Sequence, residues 1–204
     1  MRREELQSAD PALFAELAAA VEVGELALVT ADGTPRVIPL NFAALGETVY
    51  FHGALAGEKH DLCRDGGAPC SFAMTRPYSL IPSYWTAPRY ACPATHFFKS
   101  VEIRGRCDLV AEPAEKAAAL QALMEKYQPE GAFDPITPED PVYAKALTGV
   151  GVFRVRGAWT GKVKFGVNET PARRRHWAAK LRERGAPRDL ETALEIEKTL
   201  EDTP

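Results

Sequence analysis

The hydrophobic pattern divides the chain into strand-like segments that alternate apolar and polar positions and helix-like segments with apolar residues three and four apart. Leu13, Leu17 and Val21, with Phe14 beside them, make one apolar stripe. Asp10 is a good N-cap before it, Pro11 suits the first helical position, and Gly24 is the expected stop. Strands are predicted over residues 25–31, 34–42, 48–52, 69–75, 96–110 and 149–165. Asp32-Gly33 signals a hairpin between the first two. Pro39 cannot donate to a ladder, so the second strand is expected at an edge, at a bulge or facing a ligand. Short helices are predicted over 54–65 and near 139–147. A longer one covers 113–128, with Leu120, Leu123, Met124 and Tyr127 as its buried stripe.

Residues 77–95 break the pattern with Pro77, Pro82, Pro88 and Pro93 among Tyr78, Tyr84, Trp85 and Tyr90, a loop expected to be functional or interfacial. The last part, 170–200, is helical, basic in its first half (Arg173 to Arg184) and acidic in its second (Glu191 to Glu201). Gly185-Ala186-Pro187 separates the two, which predicts a charge-matched helical hairpin. The strands are joined by hairpins instead of regular crossover helices. That favours an antiparallel barrel with peripheral helices, mostly β or α+β, over a doubly wound sheet.

Composition narrows the function classes. The 204 residues carry 25 Lys and Arg against 28 Asp and Glu, a net charge of −3, so no chain-wide positive field addresses nucleic acid. Cys63, Cys70, Cys92 and Cys107 form no C-x-x-C and are expected to be reduced thiols, with no metal site. The N-terminus lacks the apolar run of a signal peptide and no segment is long enough to span a bilayer, so a cytoplasmic protein is expected. Glycine-rich dinucleotide and phosphate motifs, G-x-S-x-G and H-E-x-x-H are absent from the sequence.

Three clusters carry candidate chemistry. In TVYFHGALAGEKHDL (48–62), a strand end at His52 is followed by small residues and then Lys59 at a helix start. Backbone donors and a cation there suit an anion, above all a phosphate. In PRVIPLNF (35–42), the proline frees backbone groups that could meet a flat heterocycle edge-on. In FFKSVEIRGR (97–106), Lys99 and Ser100 open a strand, with Arg104 and Arg106 following on one face. Each has a purely structural alternative: a corner with a solvated lysine, an edge strand, and a solvated charged face.

In this order and spacing, RVIPLNF, VYFHGALAGEKHDL and FKSVEIRGRCDLVAEPAEKAAALQALMEKY resemble the FMN-binding split-barrel superfamily, the pyridoxamine 5′-phosphate oxidase-like group. The resemblance is nearest to the nitroimidazole-reductase-like flavoproteins. It implies a six-stranded antiparallel split β-barrel over residues 1–165 with peripheral helices, and a C-terminal helical extension, 166–204, packed on it. It further implies a homodimer with FMN at the subunit interface. Arg36, Val37, Ile38, Pro39 and Leu40 would line the ring and ribityl chain, with Asn41 just beyond. His52 and Gly53 would lie near the ring, with His52 as the catalytic group. Lys59 would bind the phosphate, Lys99 and Ser100 would come from the partner subunit, and Trp159 would lie near the ring. Glu58 departs from the oxidases, which carry a basic residue there.

The implied activity is reduction of a small aromatic or nitro-type acceptor, with NAD(P)H as a candidate donor. The alternatives are a non-catalytic flavin-binding module, an FMN-dependent transcriptional regulator using the basic tail GKVKFGVNETPARRRHWAAKLRERG, and a haem or deazaflavin binder.

Overall fold

A computed structural model describes residues 3–201. In chain order its elements are β1 (Gln7–Ser8), α1 (Pro11–Ala20), β2 (Val23–Val29), β3 (Pro35–Asn41), β4 (Ala43–Leu45), β5 (Thr48–Gly53), α2 (Glu58–Cys63) and β6 (Ala68–Ile81). They continue with β7 (Thr95–Leu109), α3 (Pro113–Tyr127), α4 (Pro141–Gly149), β8 (Gly151–Lys164), α5 (Pro171–Arg184) and α6 (Asp189–Glu201). The strands form one curled sheet in the order β3-β2-β6-β7-β8-β5-β4, with β1 pairing β8 as a side branch. Antiparallel registers run through β2–β3, β2–β6, β4–β5 and β5–β8. The six predicted strands are the six long ones. The sheet has eight because β1 and β4, of two and three residues, are too short to show a period.

Residues 10–74 and 101–160 make one compact unit, and residues 3–9, 75–100 and 161–201 another, with β6, β7 and β8 passing through both. The C-terminal helices thus share their unit with residues 75–100.

In the first unit, Asp10 caps α1 by accepting from the Ala12 amide at 2.9 Å, and Pro11 takes the first helical position. Leu13, Phe14, Leu17 and Val21 are all buried. Gly24 does not stop this helix. The helix ends at Ala20, and Gly24 lies in β2, where a β-carbon would overlap the Phe72 ring. The β2–β3 hairpin turns at Asp32-Gly33, with Gly33 at φ +86° and Asp32 accepting from Thr30 and Thr34.

In α3 the buried residues are Ala117, Ala119 and Leu123, while Tyr127 is 37% exposed, so the predicted stripe is rotated. Tyr127 lies flat on the surface and spends its hydroxyl on the backbone, donating to the Glu22 carbonyl at 2.6 Å and accepting from the Phe42 amide at 3.0 Å.

In the second unit, Tyr78, Ile81, Phe97, Phe165, Trp177, Leu181 and Ile196 form a core. Residues 77–81, expected in the aromatic loop, therefore continue β6, and Tyr78 is 2% exposed. The helical hairpin forms as predicted. Arg182 of α5 pairs with Glu197 of α6 at 2.8 Å, and Arg184 with the buried Asp189 at 2.6 Å. Arg173 pairs with Glu169 and Lys180 with Glu183. Much of the basic run is thereby neutralised within its own unit. Among the described residues no helix is long and apolar enough to cross a membrane.

Candidate functional site

β3 stands at one end of the sheet, with β2 as its only strand neighbour among the described residues. Its other edge therefore presents unpaired backbone donors and acceptors, and Pro39 is tolerated there opposite Glu25. Arg36, Val37, Pro39 and Asn41 are exposed, while Ile38 and Leu40 are half-buried. An apolar, exposed edge is unusual for a solvated strand, since such edges template further pairing. The Asn41 side chain turns back to donate to the Glu22 carbonyl at 3.2 Å.

β5 runs through three buried residues, Val49, Tyr50 and Phe51, then emerges at the exposed His52 and the half-buried Gly53. Gly53 pairs with Gly151 of β8, and the absence of a side chain at Gly53 leaves room that the Lys59 ammonium occupies. The chain passes Gly57, at φ +93°, and enters α2.

Lys59, in the first turn of α2, points back into this corner. Its ammonium lies 4.9 Å from the ring centroids of both Phe51 and Phe153, which stack 5.1 Å apart. No carboxylate faces it among the described residues. Burial depresses its pKa, only partly offset by Cys107 and Cys63 below it. Cys63 and Cys107 are both buried and meet as a hydrogen-bonded thiol pair. That bond holds the Cys63 thiol below its usual range and, together with burial, pushes Cys107 well above it.

The Glu58 departure has a local explanation. Glu58 accepts from Arg36 at 3.1 Å, tying α2 to β3 through an exposed ion pair. A groove of about 530 Å³ runs beside this pair, lined by Thr30, Thr34, Arg36 and the carboxylates Asp32, Glu58 and Asp61. Three carboxylates against one guanidinium make it a poor anion site. The anion-attracting charge of this corner is Lys59.

Trp159 of β8 is half-buried with its ring 5.5 Å from Phe14 of α1. Lys99, 6% exposed, pairs with Glu195 of α6 at 2.9 Å, and Ser100 follows it half-buried in β7. Arg104 pairs with Glu102, while Arg106 donates to the Gly66 and Gly67 carbonyls.

The family model described as pyridoxamine 5′-phosphate oxidase matches residues 11–158. The chain belongs to this family. The match spans the exposed edge of β3 and the β5–α2 corner and ends one residue before Trp159. No curated protein matches the chain. Three solved structures show the same fold. A candidate 5-nitroimidazole antibiotic resistance protein of Bacteroides thetaiotaomicron is 20% identical with a TM-score of 0.62, covering 78% of this chain and 86% of that one. The flavocytochrome Anf3 of Azotobacter vinelandii is 24% identical with a TM-score of 0.63, covering 80% and 72%. An FAD and haem binding protein of Mycobacterium smegmatis is 20% identical with a TM-score of 0.63, covering 78% and 74%.

Proposed function

We propose that this family member is an FMN-dependent oxidoreductase that reduces a small aromatic or nitro-type acceptor. The observation that carries the reading is Lys59, a half-buried ammonium without a carboxylate partner among the described residues, packed against Gly53. A flavin phosphate supplies the missing counter-charge through charge-assisted hydrogen bonds. The free edge of β3, Arg36 to Asn41, supplies backbone donors and acceptors for the polar edge of the ring system. Two of the similar structures are named for flavin or flavocytochrome binding, which supports a flavin in this one.

Bound FMN would supply two-electron chemistry between a nicotinamide donor and the acceptor. The protein's part is placement and proton supply. His52 is exposed at the strand end, one residue from Gly53, where an imidazole nitrogen can pass a proton to the acceptor. Val37, 53% exposed on the open strand, suits a second copy of the chain, and the proposed assembly is a homodimer with flavin at the interface. Ser100 is retained as the partner's contribution. Lys99, committed to Glu195, is assigned to its own chain's core.

The test is an absorbance spectrum and FMN titration of the purified protein, followed by NADH and NADPH oxidation with a nitroaromatic acceptor. The expected result is a yellow protein that turns over. A colourless protein that takes up no FMN overturns the flavin reading, and flavin binding without turnover overturns the enzymatic one. A strict monomer on sizing overturns the shared site.

A further inference from the structure

A second cavity, of about 510 Å³, lies wholly within the unit built from residues 3–9, 75–100 and 161–201. None of the residues proposed for the flavin lines it. Its base is apolar, with Leu6, Phe97 and Trp177, and Phe98 stands at its side. Pairing of β1 with β8, Gln7 opposite Lys162, brings the N-terminal segment and Arg3 to its wall.

Its electrostatics run against the rest of the molecule. Four cations, Arg3, Lys162, Lys164 and Arg173, line it against the single carboxylate Glu169, in a chain of net charge −3. Glu169 is taken by Arg173. Among the described residues, Arg3, Lys162 and Lys164 have no carboxylate partner. The ammoniums of Lys162 and Lys164 lie 5.4 and 5.6 Å from the centroid of the same Phe98 ring. Burial first, then the like charges of Lys162 and Arg3, loosen the proton on Lys164. Two ammoniums over one aromatic ring, with Arg3 lining the same cavity, repel one another in the free protein, and an anion between them reverses the sign of that interaction.

We propose that this cavity is a second ligand site, for an aromatic or heteroaromatic phosphate monoester of mononucleotide size. A volume of this order is in the range of small-molecule sites and far exceeds a bare phosphate. The cationic rim matches a dianion, and Phe98 with Trp177 offers aromatic surface for a planar ring.

Calorimetric titration of the full-length protein at low salt, with and without saturating FMN, tests this with AMP, adenosine and inorganic phosphate as probes. AMP is expected to bind at least tenfold more tightly than either fragment, equally in both flavin states. The K162Q/K164Q double variant should lose at least tenfold in AMP affinity while keeping its melting temperature and its FMN uptake. Phe98→Leu, which keeps an apolar side chain, should weaken AMP but not phosphate. AMP binding no tighter than phosphate would overturn the aromatic part. Loss of AMP on saturation with FMN would make the cavity part of the flavin site. Undiminished affinity in K162Q/K164Q would overturn the proposal as a whole.

Discussion

The Lys59 ammonium fills the space beside Gly53: a β-carbon at position 53 would stand 2.7 Å from Nζ. The clash is with the end of a flexible side chain, so Gly53→Ala is expected to fold normally while displacing the charge. FMN affinity should drop roughly tenfold, about 1.4 kcal/mol, with little change in melting temperature. Lys59→Met should lose about 1.5–3 kcal/mol of FMN binding. It should not lose stability, because the burial that depresses the lysine's pKa is relieved. FMN titrations beside thermal melts check both, and an unchanged affinity in Lys59→Met would move the phosphate elsewhere.

Lys126, at the end of α3, donates to the Val21 carbonyl at 2.7 Å and the Phe42 carbonyl at 2.9 Å, above the Phe42 ring at 3.7 Å. Burial lowers its pKa to about 8 from the usual 10.5. The unfolded chain then binds more protons between those values, so this group makes stability rise from about pH 8 upward. Lys126→Met should abolish that rise. At neutral pH it should cost about 1–3 kcal/mol through the two lost bonds to carbonyls. Urea melts at pH 7.5 and 9.5 measure this below the range where Tyr50, pushed up to about 12 by burial and Glu115, titrates.

Arg154 joins Glu115 at 2.7 Å and Asp108 at 2.8 Å, and Glu115 also accepts from the Tyr50 hydroxyl at 2.9 Å. Arg154→Met leaves Glu115 without its ion pair and Asp108 with Arg156 alone, at 3.2 Å, and is expected to destabilise by about 2–4 kcal/mol. Burial pulls the Glu115 carboxyl upward, but the bonds from Arg154 and Tyr50 outweigh it, and the net shift is below 4.5. Its contribution is therefore present above pH 4.5 and lost as pH falls through the lower folded value. Glu115→Gln should flatten the acid limb of the stability profile, which chemical denaturation between pH 3 and 6 would show.

Asp189 is fully buried at the start of α6. It accepts two bonds from Arg184, at 2.6 and 2.7 Å, and further bonds from the Ser79 hydroxyl and the Ala186 amide. Arg184 above all holds its carboxyl below the usual range. Asp189→Asn keeps the size and removes the charge, and should cost about 2–4 kcal/mol. Urea melts followed by tryptophan fluorescence check this, since Trp177 lies in the core of the same unit.

Most elements were legible because their causes are local. The Asp10 cap, the Asp32-Gly33 turn and the period of each long strand act within a few residues. The Gly24 reading failed because a glycine after a helix looks the same whether it ends that helix or makes room for a ring, and Phe72 decides which. The predicted α3 stripe differs at Tyr127, whose hydroxyl donates to the Glu22 carbonyl and accepts from the Phe42 amide. Within the candidate site, the β3 edge and Lys59 were readable from Pro39 and from the small residues before the lysine. The partner of Arg36 was not, since Glu58 lies on another element.

By itself the sequence determined the order of strands and helices, the hairpin connections and the charge-matched ending. These follow from periodicity, capping and turn chemistry, which are properties of short segments. Only the tertiary structure decided which charges are paired. It gave Lys99 to Glu195 and Arg36 to Glu58, left Lys59 facing two phenyl rings, and gathered Arg3, Lys162 and Lys164 round one cavity. A charge takes its role from the groups that face it after folding, and those groups come from distant positions in the chain.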